Sequence, residues 1–282
     1  MPKIKSVSED TGKYVHERTR EEYQRLRDQA RLFEELTKSI LERVGLKDGM
    51  KCLDVGCGPG AAMKLMGERV GTRGSVIGVD IDPNAGREAL RFLTGSGESN
   101  YEFVEANVEK VTSIRSEEFD LVFARGVLIH LKDPLKALSK MYGWTKPGGY
   151  IVAQESYLAT MNFFPAVKPL VEWRNLIFRL YRENKIDLEF GLKLPHYFIK
   201  AGIGAPDDVS INGLMKPLSD QDTISWLRGM LISVLPRAMQ LGVASEKECN
   251  ALAESLNDLG NEASHYFIYP LAISLSKMKK AQ

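Results

Sequence analysis

Cysteine is scarce in this chain: Cys52, Cys57 and Cys249 are the only three in 282 residues. A scattered, odd-numbered set excludes a disulfide framework and lacks the paired spacing of a structural metal site, so no metal is expected and a reducing cytoplasm is. An excess of one charge is also missing. Lys and Arg number 38 against 37 Asp and Glu, a formal net charge of +1. No global field then draws the chain to nucleic acid or to an anionic membrane, and neither is expected as a partner. The one basic cluster, Lys277, Lys279 and Lys280, reads as a solvated tail. There is no uncharged apolar run long enough to span a bilayer, and Met1 to Ser6 carries no apolar stretch of a signal peptide. Internal repeats and low-complexity linkers are absent too.

What is present begins with an ordinary globular composition, 44% hydrophobic and 27% charged, in a chain long enough for one large domain or a domain with insertions. Its most informative segment is Cys52-Leu53-Asp54-Val55-Gly56-Cys57-Gly58-Pro59-Gly60, followed some twenty residues later by Val76-Ile77-Gly78-Val79-Asp80. A buried strand runs into a turn that needs glycine at Gly56 and Gly58, where φ is free to be positive and no Cβ blocks a ligand. A helix then starts near Gly60, offering free N–H groups and a positive dipole end. Asp80, leaving the next strand, can accept hydrogen bonds from both hydroxyls of a ribose. The pattern is that of a nucleoside-cofactor site.

Short apolar runs near 51–55, 75–79, 101–105, 119–124 and 149–155 alternate with helical periodicity near 60–70, 83–94 and 132–144. That alternation predicts an α/β fold with a mostly parallel sheet buried on both faces, its ligand at the carboxyl ends of the strands. Residues 12–44 read as one amphipathic helix, within an N-terminal helical lid over residues 1–50 that precedes a cofactor-binding core over 51–156. Residues 160–186 read as a helix dense in aromatics, within a cap insertion over 157–190. In 191–282, the rest of the core, a helix at 191–201, a strand at 208–214, a second helical insertion near 219–259 and a last strand at 265–275 follow.

The spacing G-x-G-x-G behind an acid, at Asp54, Gly56, Gly58 and Gly60, resembles the first motif of class I S-adenosylmethionine-dependent methyltransferases rather than the dinucleotide-binding G-x-G-x-x-G. The resemblance continues through Tyr101 to Val108, through Phe119-Asp120-Leu121-Val122-Phe123-Ala124-Arg125 and through Lys146-Pro147-Gly148-Gly149-Tyr150, so it covers 51–155 in order. It implies a Rossmann-like seven-stranded sheet with helices on both faces, helical cap insertions and S-adenosylmethionine as cofactor. Asp54 would hold the methionine ammonium. Gly56, Cys57 and Gly58 would lie against the methionine and ribose, Asp80 would take the ribose, Asn107 would read the adenine amine, and Ile81 and Val108 would flank the ring. Arg125 joins the cofactor set. The N-terminal helix is similar to that of ubiquinone- and menaquinone-type small-molecule methyltransferases, which makes Tyr14 and Gln29 candidate lid contacts.

The implied reaction is in-line methyl transfer from the sulfonium to a small organic acceptor, in which positioning supplies most of the acceleration. The base nitrogen and amide methyltransferase signature is missing after 124, and three scattered cysteines do not suit arsenite. His130 reads as a structural residue beside the next helix, with Glu155 and Tyr157 as further base candidates; His196 and His265 read as a helix residue and a strand-start residue. None receives a catalytic role. The aromatics Phe163, Phe164, Trp173, Phe178 and Tyr181 are expected either to wall an acceptor pocket or to bury one face of a helix on the sheet. A non-catalytic S-adenosylmethionine-binding regulator and a nucleotide-dependent oxidoreductase are the competing functions.

Overall fold

Every strand expected from the apolar runs forms, and each ends where a turn or helix signal interrupts it. A computed structural model describes residues 14–16, 18–94, 100–259 and 264–280. In chain order the elements are α1 (Arg20–Leu32), α2 (Glu34–Arg43), β1 (Lys51–Val55), α3 (Ala61–Val70), β2 (Ser75–Asp80), α4 (Pro83–Leu93), β3 (Asn100–Glu105), β4 (Phe119–Arg125), α5 (Pro134–Trp144) and β5 (Thr145–Tyr157). They continue with β6 (Asn162–Phe164), α6 (Lys168–Glu183), α7 (Phe190–Lys200), β7 (Asp208–Asn212), β8 (Met215–Pro217), α8 (Gln221–Gln240), α9 (Glu246–Leu259), β9 (Tyr266–Ile268) and β10 (Leu271–Met278).

Seven strands make one sheet in the order β3-β2-β1-β4-β5-β10-β7. The first five are parallel, and β10 runs antiparallel between β5 and β7. The sheet packs on both faces because its strands alternate. In β4, Leu121 and Phe123 enter one core with Ile40, Leu41, Met63 and Met66, while Val122 and Ala124 enter the other with residues of α5 and α7. Strand order reverses between β1 and β4, and a crevice opens at the carboxyl ends there. Helix starts are marked by local chemistry: Asp82 and Asp133 each accept a backbone N–H and are followed by proline, and Thr19 caps α1.

Three expectations need correction. The helix expected over 12–44 begins at Arg20 and breaks at Phe33, which ends α1 and starts α2; residues 12, 13 and 17 lie outside the described residues. The helix expected over 160–186 occupies only 168–183, because Asn162–Phe164 pairs with β9 as a strand. The single strand expected over 265–275 is two strands in different sheets. Pro270 has no N–H to give a ladder, so the chain leaves the small antiparallel sheet β6-β9-β8 there and enters the main sheet as β10.

That small sheet and α6, α8 and α9 form a cap with its own aromatic centre. Phe163, Trp173, Trp226, Phe267 and Tyr269 meet at centroid distances of 4.5 to 6.3 Å. Trp173 is completely buried and its indole N–H donates to Leu227 O at 3.2 Å. Truncating it leaves a cavity in the cap. We expect Trp173→Ala to lower unfolding free energy by about 3–5 kcal/mol in denaturant titrations, whereas Phe164→Ala, at a 65% exposed site, should change it by less than about 0.5 kcal/mol.

Candidate functional site

The turn after β1 is shaped by positive φ at Gly56 (68°), Gly58 (49°) and Gly60 (84°). A Cβ on Gly56 would sit 2.3 Å from Val127 Cγ2, so the turn and the loop after β4 touch where only glycine fits. The N–H groups of Gly56 and Cys57 both donate to Val79 O, at 2.7 and 3.1 Å. Asp80 then ties two loops together: Oδ2 accepts from Gly58 N and Oδ1 from Asp82 N, each at 2.9 Å. Each carboxylate oxygen retains acceptor capacity for a further partner. Cys57 packs its sulfur against Gly78, and its thiol is pushed well above the ordinary range by burial.

One cavity of about 260 Å³ lies over this turn. Tyr14, Gln29, Gly56, Cys57, Gly58, Asp80, Ile81, Asn107, Val108 and Arg125 all line it. Asp54, the eleventh residue expected there from sequence, does not line the cavity: it lies beneath the turn, 2% exposed. Its Oδ2 is buried with no hydrogen-bond partner. Burial pushes the Asp54 carboxyl up to about 7, Arg125 pulling it down and Asp80 pushing it further up. Asn107 Oδ1 already accepts from Glu109 N at 2.8 Å, an Asx turn that fixes the side chain at the cavity edge.

Over the cavity lies the N-terminal segment. Tyr14 donates to Glu22 Oε1 at 3.0 Å and meets the His130 ring edge-on at 5.1 Å between centroids. Gln29 Oε1 accepts from Arg25 Nη1 at 2.7 Å and from Trp226 Nε1 at 3.0 Å, which joins α1 to the cap. Behind them Glu22 accepts two bonds from Arg25 and one from Ser233, each at 2.6 Å. Burial alone would raise the Glu22 carboxyl; its hydrogen bonds from Arg25 and Ser233 hold it below the ordinary value. Tyr23 donates to Asp82 Oδ2 at 2.5 Å, closing the same segment onto the turn after β2.

Several lining residues had no sequence signal. Tyr23, Leu26 and Phe33 reach the cavity because α1 and its end lie across the sheet ends, while Asp82, the cap of α4, and Gln154 of β5 line it from the sheet side. Glu155 also lines the cavity. Its Oε1 accepts from Val127 N and Leu128 N at 3.0 and 2.7 Å, its Oε2 is buried without a partner, and burial raises its carboxyl to about 8 against those backbone bonds. None of Phe163, Phe164, Trp173, Phe178 and Tyr181 lines it. Phe163, Trp173 and Tyr181 fill the core of the cap, where α6 and its neighbours enclose them, and Phe164 is exposed.

Comparison with known proteins agrees with the fold. Residues 46–185 match the family model of a methyltransferase domain. A phosphoethanolamine N-methyltransferase of Zea mays is 33% identical over 121 residues, 43% of this chain and 23% of that protein. A ubiquinone biosynthesis O-methyltransferase of Leptothrix cholodnii is 30% identical over 126 residues, 45% of this chain and 50% of that protein. This chain thus aligns with between 23% and 50% of these relatives' lengths. The YcgJ protein of Bacillus subtilis superposes with a TM-score of 0.60 at 19% identity, covering 88% of this chain and all of that one. Residues 46–185 are thus similar to methyltransferase domains, and the fold is shared with that solved structure.

Two outcomes follow from the geometry. Gly56→Ala should lower stability by about 1–3 kcal/mol, and adding Val127→Ala should restore only part of it, because the positive φ remains; thermal unfolding of the three variants checks this. Glu155, raised when folded, binds a proton that the unfolded chain has already lost between about pH 4 and 8, so it costs stability as pH rises. Denaturant titrations should therefore show Glu155→Gln gaining on the native protein by up to about 1.4 kcal/mol per pH unit from pH 5 to 8. A difference that does not vary with pH contradicts the assignment.

Proposed function

We propose that the chain is an S-adenosylmethionine-dependent enzyme that transfers a methyl group to a small organic acceptor. The observation that carries this is the pair of carboxyl groups around the glycine turn, one buried and one at the cavity wall. Asp54 Oδ2 lacks a partner beneath the turn, and Asp80 sits at the cavity wall between Gly58 and Asp82. A bound ammonium would supply the partner Asp54 lacks, and a ribose would use the acceptor capacity left on Asp80. Ile81, Asn107 and Val108 stand along the same cavity where an adenine would follow.

The cofactor brings an activated methyl group on a sulfonium. The protein's work is to hold it, exclude water and align the acceptor. The segment from Tyr14 to Phe33 lies across the cavity as a lid, with the cap behind it, and the cavity is also lined by Gln154 and Ser156 of β5 and Ala272 of β10, which form a chamber at that end. That chamber is the proposed acceptor subsite. The reading includes a reducing compartment such as the cytoplasm, supported by three buried free thiols. Among the described residues no helix is long and apolar enough to cross a membrane.

Calorimetric titration with S-adenosylmethionine, S-adenosylhomocysteine and reduced nicotinamide dinucleotide tests the proposal. The first two should bind in the micromolar range and the third should not. Asp80→Ala should weaken S-adenosylhomocysteine by about 1–3 kcal/mol. Unchanged affinity in the folded variant would remove Asp80 from the site, and binding of the nicotinamide cofactor alone would overturn the reading.

A further inference from the structure

A row of polar side chains crosses the main sheet under α2 and ends at the cavity. Arg125 of β4 stands opposite Gln154 of β5, and Gln154 stands opposite Ser274 of β10. Registered neighbours point to the same face, so all three lie on the α2 side. Asp54 shares that face: it is opposite Phe123, two residues before Arg125. The row is hydrogen-bonded through α2. Arg125 Nη1 donates to Thr37 Oγ1 at 3.0 Å, the Thr37 hydroxyl lies 2.9 Å from Gln154 Oε1, and Gln154 Nε2 donates to Ser274 Oγ at 2.9 Å. Thr37, Gln154 and Ser274 are all buried.

This arrangement addresses a specific problem. A guanidinium and a carboxylate on one face of adjacent strands would ordinarily close into an ion pair, leaving neither for a ligand. Here no carboxylate among the described residues comes within 4 Å of Arg125 in an ion pair, and Asp54 Oδ2 has no partner at all. Thr37 takes up one edge of the guanidinium and draws it toward α2. An acid and a base held apart in this way match the two ends of an α-amino acid, ammonium on Asp54 and carboxylate on Arg125. Resting on the cofactor reading above, we propose that Thr37 and Gln154 are positioning residues that aim Arg125 at the carboxylate of the methionine moiety. The second N-terminal helix is then part of the cofactor site through a side chain that does not line the cavity.

The test compares two ligands by calorimetry: S-adenosylhomocysteine, which carries the amino-acid end, and 5′-deoxy-5′-methylthioadenosine, which lacks it. Thr37→Val should weaken S-adenosylhomocysteine about tenfold and leave methylthioadenosine unchanged, while Thr37→Ser, which keeps the hydroxyl, should stay within about twofold of the native protein for both. In an Arg125→Gln background, Thr37→Val should add no further loss. Equal weakening of both ligands would assign Thr37 a merely structural role, and an undiminished effect in the Arg125→Gln background would show that it does not act through the arginine; either overturns the proposal alone. Failure of the native protein to bind either ligand would instead overturn the cofactor reading, and this inference with it.

Discussion

The candidate site is organised around a carboxyl group kept dry without a partner. Asp54 sits next to the end of a parallel strand that is buried from Cys52 to Val55, under a glycine turn, with one oxygen that has no hydrogen-bond partner. Such a group costs stability unless a cation or a proton reaches it, and burial accordingly raises it to about 7. Glu155 repeats the theme at the end of β5. Two carboxyls held this way at the carboxyl edge of one sheet are a poor choice for a scaffold and a good one for a site that must wait for a positively charged ligand.

The rest of the architecture protects that arrangement. Parallel strands ending together at the switch between β1 and β4 create the crevice, and positive φ at Gly56 lets the loop after β4 close against the turn. The chain before and within α1 is laid across the crevice and fastened by charge: Glu22 and Arg25 pair in a buried cluster with Ser233 of α8, and Tyr14 and Gln29 hang from that cluster over the cavity. His16, drawn into the same cluster, is lowered by burial to about 3 and so stays neutral at physiological pH. Paired charges make this fastening strongly directional rather than strongly stabilising, which suits a segment that must take one position over a ligand.

Local chemistry made part of this legible from the sequence. Strand-turn-helix at Asp54 to Gly60, the acid at Asp80 and the alternation that follows each have a short-range physical cause, so the α/β class and the glycine turn could be read directly, while Ile81, Asn107, Val108, Arg125, Tyr14 and Gln29 came from the family resemblance. Where the cause is long-range, the reading failed. Nothing near Asn162–Phe164 says strand, because its partner is Tyr266–Ile268 a hundred residues later. The aromatic periodicity of α6 correctly signalled a helix but could not say which side of the cap it faced. Thr37, Gln154 and Ser274 are unremarkable residues individually; they become a network only when α2, β5 and β10 are brought together. Asp54 was recognised by its motif, yet its position beneath the cavity instead of along it required the fold.

The central claim, that Asp54 waits for the ammonium of an amino-acid ligand, has a direct thermodynamic signature. An acid near 7 that acquires a cationic partner must give up its proton. Calorimetric binding of S-adenosylhomocysteine at pH 7 in buffers of differing ionisation enthalpy should reveal release of about half a proton per site, and Asp54→Asn should abolish it. Binding without proton release, or the same release from Asp54→Asn, would contradict the account.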